Sequence, residues 1–191
     1  MRRVSVIGSS GAGKTTLARA LAGRLGVRHV ELDALHHQPG WRPLEREPLR
    51  AVVSATLAAA PEGWVVDGNY SLVRDIVWAA ADTVVFIDLP RWRVMSQLVP
   101  RTLRRVATQE VLWNGNRERW SNLTSLDPEQ NLLLWSWTHH ARRRQSYDAA
   151  VVDPAWSHLT FLRLRTRQRV EDFLAGRMGD LAGGWGGSQE R

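Results

Sequence analysis

Gly8-Ser9-Ser10-Gly11-Ala12-Gly13-Lys14-Thr15 decides how this chain is read. The octapeptide meets G-x-x-x-x-G-K-[ST], the phosphate-binding loop known as Walker A, at every fixed position. Its glycines let backbone N–H groups turn inward around phosphate oxygens, and the helix that must follow adds its positive N-terminal end. Lys14 is the only lysine; of the 26 basic residues the other 25 are arginine. An ammonium is a compact point charge that fits between β- and γ-phosphate oxygens, whereas a planar guanidinium fork wants two acceptors side by side. The chain uses lysine only where a phosphate clamp needs it.

The flanks supply the context that the motif requires. Val4-Ser5-Val6-Ile7 predicts a buried parallel strand running into the loop. Leu17, Leu21 and Leu25 recur every fourth residue with Ala18 and Ala22 beside them, which predicts a helix stopped by Gly26. Apolar runs at residues 29–32, 64–66, 83–87 and 159–162 predict four further strands, with helices over about 47–60 and after the last strand. Strands alternating with helices predict a three-layer α/β/α fold around a parallel sheet. In such sheets ligands sit beyond the carboxyl ends of the strands, where Asp33, Asp67 and Asp88 fall.

Between the fourth and fifth strands, residues 91–147 form an arginine-rich insertion, expected to be a helical lid whose polar middle, 109–125, is a loop. Residues 1–177 are expected to make one domain and the glycine-rich 178–191 a disordered tail, since that stretch cannot bury enough apolar area to order itself. Cysteine is absent, so disulfides and thiolate metal sites are excluded, which fits a cytoplasmic setting. No signal peptide or membrane span is expected. A net charge of +7 points to anionic partners, and the ten tryptophans are expected mainly in core or rim packing.

The chemistry-bearing residues follow from position. Gly8, Ser9, Ser10, Gly11, Ala12, Gly13, Lys14, Thr15 and Thr16 are expected to hold the donor phosphates, with Thr15 as a Mg²⁺ ligand. The carboxylate supporting that ion is Asp67 in the first instance, because glycine follows it at a strand end, and Asp88 in the second. Asp33, directly after the second strand, is placed to take a proton from an acceptor hydroxyl. Glu31 either shares that face or pairs with an arginine. His36 and His37 read as solvated loop residues, while Trp41, Asn69, Tyr70 and Arg74 are candidates for the acceptor wall. Arg101, Arg104 and Arg105 share one helix face, and Arg101 and Arg105 are placed with Lys14 and Asp33 in the catalytic set. Arg142, Arg143 and Arg144 read as a solvated face.

GSSGAGKTT, LDALHHQPGW, WVVDGNY and VVFIDLP, taken in order and followed by the arginine-rich insertion, resemble the adenylate-kinase-like P-loop kinases, in particular the group that includes the DNA topology modulation proteins. The resemblance covers residues 3–175. It implies a five-stranded parallel sheet in the order 2-3-1-4-5, ATP as phosphate donor with Mg²⁺, and a lid between strands four and five. Adenylate kinases carry DGFPR after the third strand, the arginine gripping the acceptor phosphate. This chain reads DGNYSLVRD there, which favours a hydroxyl metabolite over a nucleoside monophosphate as acceptor. ATP is preferred to GTP because an N/T-K-x-D base-reading motif is missing. The reading is therefore an ATP-dependent phosphotransferase acting on a small molecule. Its alternative is a nucleotide-dependent DNA- or RNA-binding ATPase, and the oligomeric state is left open.

Overall fold

Strand β1 (Arg3–Gly8) lies at the centre of a five-stranded parallel sheet in the computed structural model, which describes residues 1–125, 127 and 131–177. The tail expected at 178–191 lies outside the described residues. The other sheet strands are β2 (Arg28–Glu31), β5 (Trp64–Asp67), β6 (Thr83–Ile87) and β7 (Thr160–Leu164). A separate two-stranded hairpin pairs β3 (His37–Gln38) with β4 (Arg42–Pro43). The sheet order is β2-β5-β1-β6-β7, which is 2-3-1-4-5 when the five sheet strands alone are numbered.

Alternation along the strands sorts the core into two layers. Val4 and Val6 of β1, Val65 of β5, and Val85 and Ile87 of β6 pack on α1 (Lys14–Leu25) and α8 (Arg167–Leu174). Ile7, Trp64, Val66, Val84 and Phe86 face the opposite way, against α3 (Arg46–Ala58), α4 (Arg74–Ala80) and the end of α7 (Leu132–Val151). Every residue of β5 and β6 is buried, as expected of strands covered on both faces. Gly26 ends α1 in the left-handed conformation, its N–H bonded to the Ala22 carbonyl.

The insertion consists of α5 (Arg91–Thr108), a 3-10 turn at Trp113–Gly115, α6 (Ser121–Thr124) and most of α7. Val94 and Leu98 of α5 are fully buried, and α5 packs against α7. The root of the insertion is pinned by charge. Asp88, only 5% exposed, accepts from Arg163 of β7 at 2.7 Å and from Arg144 of α7 at 3.1 Å. Arg163 also reaches Asp148 at 2.7 Å. Removing one partner of such a buried pair leaves an uncompensated charge, a loss of about 3–5 kcal/mol. Asp88 is thus a joint between sheet and insertion, and not a carboxylate facing the phosphate loop.

Three tryptophans depart from the packing expectation: Trp92, Trp120 and Trp137 are 62%, 59% and 48% exposed. All three lie in the insertion. Among the described residues no helix is long and apolar enough to cross a membrane.

Candidate active site

The phosphate loop leaves β1 through Gly8 and enters α1 at Lys14. Gly8 has φ +153, and a Cβ there would meet the Ile87 carbonyl oxygen at 2.7 Å; Gly11 has φ +86, and a Cβ would meet Leu98 at 2.8 Å. The first glycine allows the turn off the sheet, and the second lets α5 lie directly on the loop. Ser136 of α7, buried, donates to the Ser10 carbonyl at 3.4 Å, so α5 and α7 both lie on the loop.

Lys14 donates to the Ser9 carbonyl at 3.2 Å. Desolvation pulls its ammonium down to about 8, with the Arg143 and Arg101 guanidiniums adding to the effect and Asp33 and Asp67 opposing it. Burial also lowers Arg101 and Arg143, although an arginine stays charged near neutrality. Nε of Arg101 and one Nη of Arg143 are enclosed without a hydrogen-bond partner. Three crowded cations with unspent donors make a site for a multiply charged anion. Arg143 belongs to this group and not to a solvated face; Arg142, by contrast, is exposed. A polyphosphate between these cations restores the Lys14 proton. Nucleotide affinity is therefore expected to be flat in this group below about pH 8 and to fall up to about tenfold per pH unit above it. Titrations in buffers of different ionisation enthalpy check the accompanying proton uptake.

Opposite the loop stand three carboxylates, and they divide differently from the expectation. Glu31 and Asp67 are register partners at the ends of β2 and β5. Asp67 is 3% exposed and is engaged by His29 at 3.2 Å. Glu31 instead accepts from the Thr15 hydroxyl at 3.5 Å and from Trp113 of the insertion. Burial raises its pKa, as does the negative charge of Asp67. Oxygen donors at Thr15 and Glu31 suit a hard cation such as Mg²⁺, which keeps most of its waters and bridges to phosphate. Among the described residues no three His, Cys, Asp or Glu side chains form a metal cage of their own.

Asp33, in the short helix α2 (Leu32–His36), accepts a 2.6 Å hydrogen bond from Tyr70. Burial and the Asp33 charge push the Tyr70 phenol far above its ordinary value, so it stays protonated and donating. His37 Nε2 lies 3.2 Å from the same phenol oxygen. The rings of His36 and Tyr70 are 4.5 Å apart, those of His37 and Trp41 5.2 Å, and His37 stacks on Trp113 at 5.8 Å. Desolvation, with mutual repulsion adding at His36, lowers both histidines, which are therefore neutral walls of the crevice and not solvated loop residues.

Other expected site residues are spent elsewhere. Asn69 holds the loop: its amide oxygen accepts from Gly8 N–H at 3.0 Å and its NH₂ donates to the Gly8 carbonyl. Arg74 lies 5.3 Å from the Trp78 and Tyr147 rings and reaches Ser146 at 3.4 Å. Arg105 pairs with buried Glu118 at 3.3 Å, and Arg104 pairs with Glu110 at 2.9 Å on the exposed side.

The polar segment between α5 and α7 docks on residues 34–42. Asn116, 4% exposed, accepts from Trp41 N–H at 2.8 Å and donates to the Gln38 carbonyl at 3.0 Å. Asn114 donates to the Ala34 and His37 carbonyls, and Trp41 donates its indole N–H to the Arg117 carbonyl at 2.8 Å. These asparagines were not singled out from sequence; the W-N-G-N turn that presents them is the signal that marks them. Asn116→Ala is expected to cost about 1–3 kcal/mol, because two backbone groups lose a buried partner. Chemical denaturation measures it.

Residues 4–88 match the model of the ATPase family associated with various cellular activities (AAA). A bifunctional pantoate ligase/cytidylate kinase from Gloeobacter violaceus is 31% identical over 83 residues, 42% of this chain, and the chain spans only 16% of that protein. Among solved structures, shikimate kinase from Acinetobacter baumannii in complex with shikimate superposes with a TM-score of 0.54 at 16% identity, covering 93% of this chain and 90% of that one. Shikimate kinase from Bacteroides thetaiotaomicron gives 0.54 at 16% identity over 92% and 96%. The glycine loop closed on Lys14, the sheet order and these likenesses agree that the chain has the α/β fold seen in these kinases.

Proposed function

We propose that the protein is an ATP-dependent phosphotransferase that moves the γ-phosphate to a hydroxyl of a small molecule. The observation that carries this reading is the Asp33–Tyr70 pair, a carboxylate held by a protonated phenol, facing the Lys14–Arg101–Arg143 cluster across one crevice. Asp33 takes the proton as the acceptor oxygen attacks phosphorus, and Tyr70 fixes the carboxylate's orientation. Lys14, Arg101 and Arg143 offset charge on the transferring phosphoryl group, and residues 91–147, acting as a lid, exclude water. The likeness of fold to shikimate kinases supports a hydroxyl as the accepting group. Thr15 and Glu31 are the residues that would hold a Mg²⁺ ion, which would supply charge neutralisation at the phosphates.

The test is transfer of labelled phosphate from ATP to a panel of small hydroxyl compounds, with hydrolysis measured in parallel; hydrolysis without transfer to any compound sinks the reading. Glu31→Gln is expected to raise the Mg²⁺ concentration for half-maximal rate about tenfold or more, as loss of an outer-sphere carboxylate does. Asp67→Asn should move it less, since His29 already occupies that side chain.

A second reading, a nucleic-acid-binding ATPase related to the DNA topology modulation proteins, has one observation in its favour. Arg93 stacks on exposed Trp92 at 4.5 Å and Arg91 on exposed Trp137 at 4.6 Å, a pairing that suits bases and phosphates. It requires DNA affinity that weakens steeply with salt.

A further inference from the structure

The free polar atoms around Asp33 constrain what the acceptor carries. This inference rests on the phosphotransferase reading and narrows its acceptor. Tyr70 gives its only proton to Asp33, so the contact between the phenol oxygen and His37 Nε2 is filled by a proton on that nitrogen. His37, kept neutral, then has a bare lone pair on Nδ1, and that atom is enclosed without a partner. The crevice therefore offers the Asp33 carboxylate, with the neutral His37 imidazole behind Tyr70, to a ligand that must bring donors. A hydroxyl or an amine brings one; a carboxylate or phosphate at neutral pH brings none.

The charges agree. Glu31, Asp33 and Asp67 act on one another or on Lys14 from the same side of the crevice. The arginines nearby are committed: Arg74 between two aromatic rings, Arg105 to Glu118, and Arg101 and Arg143 at the phosphate side with Lys14. The rest of the wall is ring faces, Trp41, Trp113, His36 and Tyr70, suited to the C–H faces of a cyclic ligand or to a cation over the rings.

We propose that the acceptor is a ring polyol without an acidic group, neutral or amine-bearing, such as a sugar, amino sugar or aminocyclitol, and not a sugar acid, a cyclic hydroxy acid or a mononucleotide. An anionic acceptor would set a carboxylate or phosphate against bare acceptors with no counter-charge of its own.

The experiment uses the wild-type full chain, Mg-ATP labelled in the γ-phosphate, and acceptors paired by charge. Glucose, glucosamine, myo-inositol and a streptamine-type aminocyclitol are set against glucuronate, gluconate, shikimate and cytidine monophosphate. The expected result is transfer to at least one non-anionic compound with kcat/KM about 100-fold above its anionic counterpart, the scale set by leaving a buried charge unpaired. Transfer that favours an anionic compound overturns the acceptor class and leaves the phosphotransferase reading standing. Transfer to none of the eight, with ATP still bound, overturns both.

Discussion

Alanine at position 14 is expected to lower phosphoryl transfer by about 100-fold or more, the usual loss when one preorganised donor is taken from a charge-developing transition state. The reason for so large an effect lies in the crowding. Lys14 is the only one of the three clustered cations that sits inside the loop, and it keeps its charge with difficulty, its ammonium held at about 8 by burial and by Arg143 and Arg101. Those arginines cannot replace it, because each enters from a helix of the insertion and lacks the reach of a side chain mounted on the loop itself. Lys14→Arg keeps the charge and should still fail, since the guanidinium fork is wider than the ammonium and does not fit between two phosphate oxygens. Single-turnover transfer with labelled ATP measures both variants. Turnover near wild type in Lys14→Ala would remove the loop from the chemistry.

Asparagine at position 33 gives the second large effect. The substitution keeps the shape and the contact with Tyr70 while abolishing the ability to take a proton, so kcat is expected to fall by about 100-fold or more. The KM for ATP should stay within about twofold, because Asp33 acts on the acceptor side of the crevice. The split between kcat and KM separates a base from a residue that merely supports the loop. A fall in ATP affinity of the same size as the fall in kcat would assign Asp33 to donor binding, and an unchanged kcat would end its role as base.

The donor half of the site was legible because it is local. Eight consecutive residues, a strand before them and a four-residue leucine period after them define a phosphate loop without any long-range information. The acceptor half depends on register and on who meets whom across the fold. Asp67 looked like the metal carboxylate because a glycine follows it, yet pairing of β2 with β5 sets His29 against it and leaves Glu31 for Thr15. The E-x-D spacing of Glu31 and Asp33 was visible, but nothing local says which strand end faces the loop. Arg143 was hidden among three consecutive arginines, and only the helical turn of α7 sends it inward while Arg144 goes to Asp88. His36 and His37 looked solvated because loop residues usually are; a cover formed by Trp41 and Trp113, which lie far apart in the chain, dries them. Most described tryptophans do pack in the core or at its rim, while Trp92 and Trp137 are held at the surface against arginine side chains.

One segment of the insertion touches both halves of the crevice. Trp113 reaches Glu31 on the donor side, and three residues later Asn116 grips the backbone at Gln38 and Trp41 on the acceptor side. A turn in contact with both sides of the crevice is placed to couple the two ligands, and any factor by which nucleotide tightens the acceptor must equal the factor by which acceptor tightens nucleotide. The two substrates would then add in either order with the same total free energy, and cutting the turn's hold at Asn116 would loosen each toward its solitary affinity.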